Sequence, residues 1–177
     1  MAGCGYEAPV GPATEIAGAV ARANEVTDGN RLPDLSGCDS LAVPSGTTLA
    51  FRAFASGVQI YRWTGVTWSF VAPSATLFAD AGGNGAVGIH YAGPTWESVS
   101  GSTVVGAVSK RCTPDANAIP WLLLRAVAND GPGVFDHVAF IQRLNTTGGI
   151  APAQAGSVVG ELASVPYTAE YYFYRAP

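Results

Sequence analysis

Gly88-Ile89-His90-Tyr91-Ala92-Gly93-Pro94-Thr95-Trp96-Glu97 reads as two short extended segments around a tight turn. Ala92-Gly93-Pro94 supplies the turn, with a glycine free to take positive φ. Pairing Tyr91 with Thr95 sets His90 opposite Trp96 and Ile89 opposite Glu97. Side chains alternate across a strand, so this register puts His90 and Trp96 on one face and Glu97 on the other; a bulge at Pro94 would reunite His90 with Glu97.

The same pattern extends in both directions. From Leu41 onward, short runs rich in β-branched and aromatic residues are separated by turn residues, and Thr64-Gly65-Val66 and Ser100-Gly101-Ser102 are further compact turns. Strands are predicted over 48–53, 58–63, 67–71, 75–79, 88–91, 96–99, 104–109, 121–128, 138–144 and 167–175. A succession of hairpins implies antiparallel pairing, and about ten strands are too many for a small open sheet. The expected fold is therefore all-β, an antiparallel β-sandwich or closed barrel of about ten strands with a loosely structured N-terminal arm. Glu170-Tyr171-Tyr172-Phe173-Tyr174 carries aromatics on both faces, which places the last strand centrally. The expected organisation is an arm over 1–40 and a single β domain over 41–177. In the arm, Thr14 followed by Ile16, Ala19, Val20 and Ala23 has the spacing of one short helix.

Composition bounds the function classes. A chain of 177 residues with 48% hydrophobic content can bury one core without metals. The net charge is −4 and the nine Lys and Arg are scattered, so no basic stripe is available for a phosphate backbone and nucleic acid is not an expected partner. The apolar run 119–127 is interrupted by Arg125 and falls short of the roughly 18 residues that span a bilayer, so no transmembrane helix is expected.

Cys4, Cys38 and Cys112 match no zinc or redox spacing. Cys38 with Cys112 is the expected disulfide, since both sit in turn-like contexts; three free thiols in a reducing compartment are the alternative. Met1-Ala2-Gly3-Cys4 resembles the end of a bacterial lipoprotein signal, which makes Cys4 a lipidation candidate; an ordinary start containing Gly-Cys is the alternative.

Six blocks carry a family resemblance: Gly57-Val58-Gln59-Ile60-Tyr61-Arg62, Ala75-Thr76-Leu77-Phe78, the stretch His90 to Glu97, Ile119-Pro120-Trp121-Leu122-Leu123-Leu124, the stretch Ile141 to Gly149, and the stretch Val165 to Tyr174. In this order, over roughly residues 42 to 175, the chain resembles the bacterial branch of the family catalogued as domain of unknown function 3455. The resemblance implies an extracytoplasmic β domain, secreted, periplasmic or lipid-anchored, and implies no established activity. Family members usually carry a Cys just after the Gln-x-Tyr block and another after the Gly-Gly-x-Ala-Pro block, where this chain has Trp63 and Gln154. Loss of both together is what abandoning one disulfide looks like, and it adds weight to the Cys38–Cys112 pairing.

Several constellations bear on chemistry. His90 and Glu97 are the candidate acid and base; the alternative is a His90 that packs on Trp96 within a strand surface. Arg143, with a planar fork suited to a carboxylate or sulfate, precedes Asn145-Thr146-Thr147-Gly148-Gly149; the alternative is an internal ion pair with Glu97, Asp136 or Glu170 while Asn145 and Thr147 shape a turn. Asn145-Thr146-Thr147 also fits a glycosylation sequon, which means little in a bacterial protein. Gly83-Asn84-Gly85-Ala86-Val87-Gly88 matches the dinucleotide fingerprint but runs on into strand and turn instead of opening a helix, so it reads as a hairpin loop. Asp136-His137 reads as strand neighbours on opposite faces. No cofactor and no metal is expected. The favoured function is a ligand- or protein-binding module using Gln59, Tyr61, Trp96, Arg143 and Asn145 near His90. An enzyme built on His90 and Glu97 is one alternative, and self-assembly into a homo-oligomer through exposed apolar strands is another. Convergence of His90, Glu97 and Arg143 on one cavity would favour the enzyme.

Overall fold

Glycine-turned hairpins follow one another along the chain, and each strand pairs with the next. In the computed structural model, which describes Leu32–Pro177, the strands are β1 Thr48–Trp63, β2 Trp68–Phe78, β3 Ala86–Tyr91, β4 Thr95–Ser98, β5 Thr103–Cys112, β6 Trp121–Asp130, β7 Val138–Gly148 and β8 Leu162–Arg175. All neighbours are antiparallel, and β8 returns to pair with β1, so the eight strands close into a barrel. Of the two architectures expected, the barrel is the one formed. Every strand therefore has a neighbour on both sides, although the short β3–β4 hairpin leaves residues 68–74 of β2 and 107–112 of β5 without a ladder partner on the sides that face it. The arm helix expected near Thr14 and the lipidation candidate Cys4 lie outside the described residues.

Eight strands replace about ten because two expected breaks are bends. The segments 48–53 and 58–63 join as β1, and 67–71 and 75–79 join as β2. A Cβ on Gly57 would collide with the Ser74 carbonyl and the Ala75 Cα, so the missing side chain lets β2 cross β1 closely while the ladder continues. Pro73 pairs with Gln59 beside a bulge at Ile60/Tyr61, where a missing N–H is tolerated.

Strand alternation sorts the side chains into two cores. Inside the barrel lie Ala53, Ala55, Leu77, Trp96, Val104, Leu124, Ile141, Tyr171 and Phe173. Outside, Trp121, Leu123, Leu144, Tyr172 and Tyr174 are covered by the segment carrying Leu35, Cys38, Leu41 and Val43, which contains one 3-10 turn, Asp39–Leu41. The last strand thus contributes Tyr171 and Phe173 to the inner core and Tyr172 and Tyr174 to the outer one, as its two-faced aromatic pattern predicts. The covering segment is held in two ways. Cys38 and Cys112 form a disulfide, a bond that persists in oxidising compartments. A buried relay also runs from the Tyr174 hydroxyl to Gln142 Oε1 (2.6 Å) and from Gln142 Nε2 to the Leu41 carbonyl (2.7 Å).

The two barrel ends differ. At one, Phe135 enters from the β6–β7 loop and packs on Phe51 and Phe173 at centroid distances of 5.3 and 5.0 Å, plugging the interior. At the other, the β7–β8 loop folds back over the β1–β2 hairpin. There Trp68 Nε1 donates to the Gln154 carbonyl (2.7 Å) and Gly156 lies against the Trp63 ring. Trp63 and Gln154, the positions where the family resemblance leads one to expect paired cysteines, are thus each engaged across this interface, Trp63 by Gly156 and Gln154 by Trp68.

Candidate functional site

Below the end that no described residue plugs, the barrel surrounds a cavity of about 470 Å³. Gln59 and Tyr61 reach it from β1, His90 from β3, Trp96 from β4, Arg143 from β7 and Tyr171 from β8; Ile119, Leu122 and Leu124 supply apolar wall. Phe70, Val71, Val108 and Arg111 also line it while staying exposed, so they mark the mouth. The floor is deeply buried, with Trp96 at 1%, Tyr171 at 0% and His90 at 3% exposure.

The hairpin register explains why His90 is there. Tyr91 pairs with Thr95, His90 with Trp96 and Ile89 with Glu97, without the bulge that would reunite His90 and Glu97. His90 and Trp96 stack inside the barrel at 4.4 Å and 10°, and both meet the edge of Tyr171. Glu97 falls on the outer face, where it accepts a hydrogen bond from the Tyr91 hydroxyl (3.0 Å).

His90 is a neutral imidazole. Burial is the main cause that drives its pKa down to about 4; the Arg143 charge pushes the same way, and the hydrogen bond to Thr95 opposes them. Nδ1 lies 2.8 Å from the Thr95 carbonyl, which can only accept, so Nδ1 carries the proton and Nε2 keeps its lone pair. A histidine depressed from 6.5 to about 4 binds its proton more readily when unfolded. Its contribution to stability is complete above pH 6.5 and is lost as pH falls toward 4, a loss of about 3 kcal/mol. Urea midpoints of wild type and His90→Gln across that window are expected to converge as the pH drops; parallel curves would show that His90 titrates normally.

Several polar groups of the barrel interior are poorly satisfied. Among the described residues, Gln59 Nε2, Trp96 Nε1 and the hydroxyls of Tyr167 and Tyr171 are buried without a well-formed hydrogen bond, although Gln59 neighbours Tyr167, Tyr167 neighbours Tyr171, and Tyr171 neighbours Arg143 closely enough to perturb one another. Burial raises the pKa of both tyrosines, so they stay protonated donors. Tyr61 is satisfied, donating to the Gly149 carbonyl at 2.6 Å. Gly149 has φ +77°, and a Cβ there would press on Tyr167, Ile119 and Gln59, so only glycine brings this carbonyl in.

Arg143 is half-buried on the inner face of β7. Its Nε and Nη2 donate to the Pro120 carbonyl at 3.1 and 2.8 Å. The acids that an internal pair would use are engaged elsewhere: Glu97 with Tyr91, Glu170 with Arg52 (2.7 Å) and Asp136 with His137 (3.2 Å). Among the described residues no carboxylate pairs with Arg143, and no acidic residue lines the cavity.

Gln59, Tyr61, His90, Trp96 and Arg143 thus share one cavity, whereas Glu97 and Asn145 do not. Asn145 is exposed with φ 49° at the β7 bulge, beside a separate groove that includes Asp80 and Glu170. The turn expected after Leu144 is that bulge: β7 continues to Gly148, with Thr146 donating to the Ile119 carbonyl at 2.6 Å. Asp136 and His137 precede β7 in a loop, not in a strand, so strand alternation does not separate them and their side chains meet on the surface. Sequence reading missed Tyr171, Ile119, Pro120 and Arg111 as cavity residues. For Tyr171 the signal was the alternation of the last strand; the others come together only through barrel closure.

Residues 44–175 match the model of a family described as protein of unknown function (DUF3455). Comparison with curated proteins and with solved structures returns no match.

Proposed function

The chain belongs to the DUF3455 family, and from that premise, which carries no activity with it, we propose that it is an extracytoplasmic module that binds a small molecule inside the barrel. The reading rests on one observation: Gln59, Trp96 and Tyr171, whose buried donors have no well-formed hydrogen bond among the described residues, line a cavity open to one side. An unpaired buried polar group costs about 1–3 kcal/mol, a cost that a ligand able to accept from them removes. Eight strands are about the number that encloses one small ligand.

Binding is favoured over catalysis by the surroundings of His90. Its hydrogen-bond partner is a backbone carbonyl, and the carboxylate expected as its mate faces outward. Binding is also favoured over strand-to-strand assembly, because every strand of the ring already has a neighbour on both sides and the unpaired stretches of β2 and β5 are short. Charged side chains such as Arg52, Glu97, Arg125 and Glu170 punctuate the outer wall, where a membrane-spanning barrel presents an apolar band. The disulfide fits a secreted or periplasmic setting, or one at the cell surface with lipid on Cys4.

Tyr171→Phe tests the reading, because it removes a poorly satisfied hydroxyl and little else. The variant is expected to be about 1 kcal/mol more stable than wild type without ligand. In a thermal-shift screen of small organic acids, amides, alcohols and amines, compounds that raise the melting temperature of wild type should raise that of the variant less. A variant less stable than wild type, together with a screen in which no compound shifts wild type, would sink the proposal.

A further inference from the structure

We infer that the ligand is an organic monocarboxylate, its carboxylate against Arg143 and the donors of Tyr171, Gln59 and Trp96, its apolar body directed toward the mouth. This rests on the binding reading above and adds the chemistry of the occupant.

The charge balance of the cavity carries the inference. Arg143 is a half-buried cation whose five N–H donors are only partly used, by the Pro120 carbonyl, and no acid among the described residues balances it. A cation partly withdrawn from water without a counter-ion loses some of its solvation, and an anion brought by a ligand balances it. The neighbouring polar groups agree in sign. Gln59 Nε2, Trp96 Nε1 and the Tyr171 hydroxyl are poorly satisfied donors, and Arg111 stands at the mouth, so donors and positive charge dominate the polar lining. A carboxylate offers about four lone-pair directions in a plane, matching a guanidinium fork with donors beside it. An ammonium ligand would meet Arg143 as a like charge, and a neutral amide would leave that charge unbalanced.

The walls define the rest of the molecule. Ile119, Leu122, Leu124, Pro73 and Pro94 are apolar, and Phe70 and Val71 stay exposed where the cavity opens. The polar floor and greasy mouth orient an amphiphilic acid head first. Neutral His90 adds no second cation on the floor; its Nε2 is an acceptor, so a ligand hydroxyl beside the carboxylate would find a partner there.

Calorimetry with octanoate and 3-phenylpropionate, each against its primary amide, tests this on the full chain. Wild type is expected to bind the acids at least tenfold more tightly than the amides. Arg143→Gln is expected to abolish that preference, and Arg143→Lys to retain part of it as a point charge without the fork. Arg125→Gln, on the outer wall and outside the cavity lining, is expected to keep it, and Arg111→Gln to weaken it less than Arg143→Gln does. Amides binding as well as acids would overturn the carboxylate assignment while leaving a binding cavity in place. A preference that follows Arg111 would overturn the role of Arg143. Failure of every acid and amide to bind, alongside hits from other classes in the thermal-shift screen, rejects the carboxylate alone; failure in both experiments rejects the binding reading as well. Should Arg143→Gln not fold, the acid-to-amide ratio in wild type and the behaviour of Arg143→Lys decide the outcome.

Discussion

Trp96→Ala is expected to destabilise the chain by about 4 kcal/mol, the size seen when a buried aromatic is truncated and its space does not refill. Trp96 is 1% exposed and central to the inner core. It stacks on His90 at 4.4 Å and meets the edges of Tyr171 and Phe173 at 5.3 and 6.0 Å. On its other side Gly106 lies so close that a Cβ there would be 3.1 Å from the Trp96 ring. Barrel walls cannot collapse inward the way helices slide, because the hydrogen-bonded ring fixes their spacing. The void would therefore merge with the cavity beneath the mouth. Guanidinium denaturation of Trp96→Ala and Trp96→Phe measures this; the Phe variant should lose less than half as much. A loss below about 1 kcal/mol for the Ala variant would mean that Trp96 is not a packing centre.

Removing the disulfide should be nearly as damaging. The crosslink joins residues 74 apart in sequence, and closing a loop of that length in the unfolded chain is worth about 4 kcal/mol in the chain-entropy account. The Cys38→Ala/Cys112→Ala double variant is expected to unfold at correspondingly lower denaturant. The loss should be local at first. The segment around Leu41 covers Leu144 and Tyr174, and freeing it exposes the Gln142 relay to water. Hydrogen exchange at the backbone amides of residues 38–43 should rise before that of β8. A double variant within about 1 kcal/mol of wild type would show that burial of Leu41 and the relay hold the segment without the bond.

Local residues were enough to read much of this. The register of the β3–β4 hairpin, the burial of His90 with Trp96 and the outward Glu97 all follow from a glycine turn and the period of two along a strand. The two-sided burial of the last strand follows from the same period, whereas the Cys38–Cys112 pairing is an expectation from turn-like contexts and the family resemblance that only the fold decides against free thiols. The strand count was less so. Gly57 and Pro73 carry the composition of a break, and only their neighbours across the ladder make them bends within longer strands.

The candidate site divides in the same way. Gln59, Tyr61, His90, Trp96 and Arg143 could be singled out as residue types suited to binding, yet nothing local separates them from Asn145, which lies at a different groove. The environment of Arg143 is likewise a property of the closed ring. Its acceptor is the Pro120 carbonyl, 23 residues away, and the acids it was weighed against are held by Tyr91, Arg52 and His137.

Which segments extend, where they turn and which side chains share a face follow from local chemistry, because φ preferences and strand alternation act within a few residues. Long-range pairing set the rest: that the sheet meets itself, that one end is stoppered by Phe135, and that poorly satisfied donors and an unbalanced guanidinium converge under the other. Those outcomes depend on which strands become neighbours across the ring, and closure brings together residues more than a hundred positions apart, as in the β1–β8 pairing.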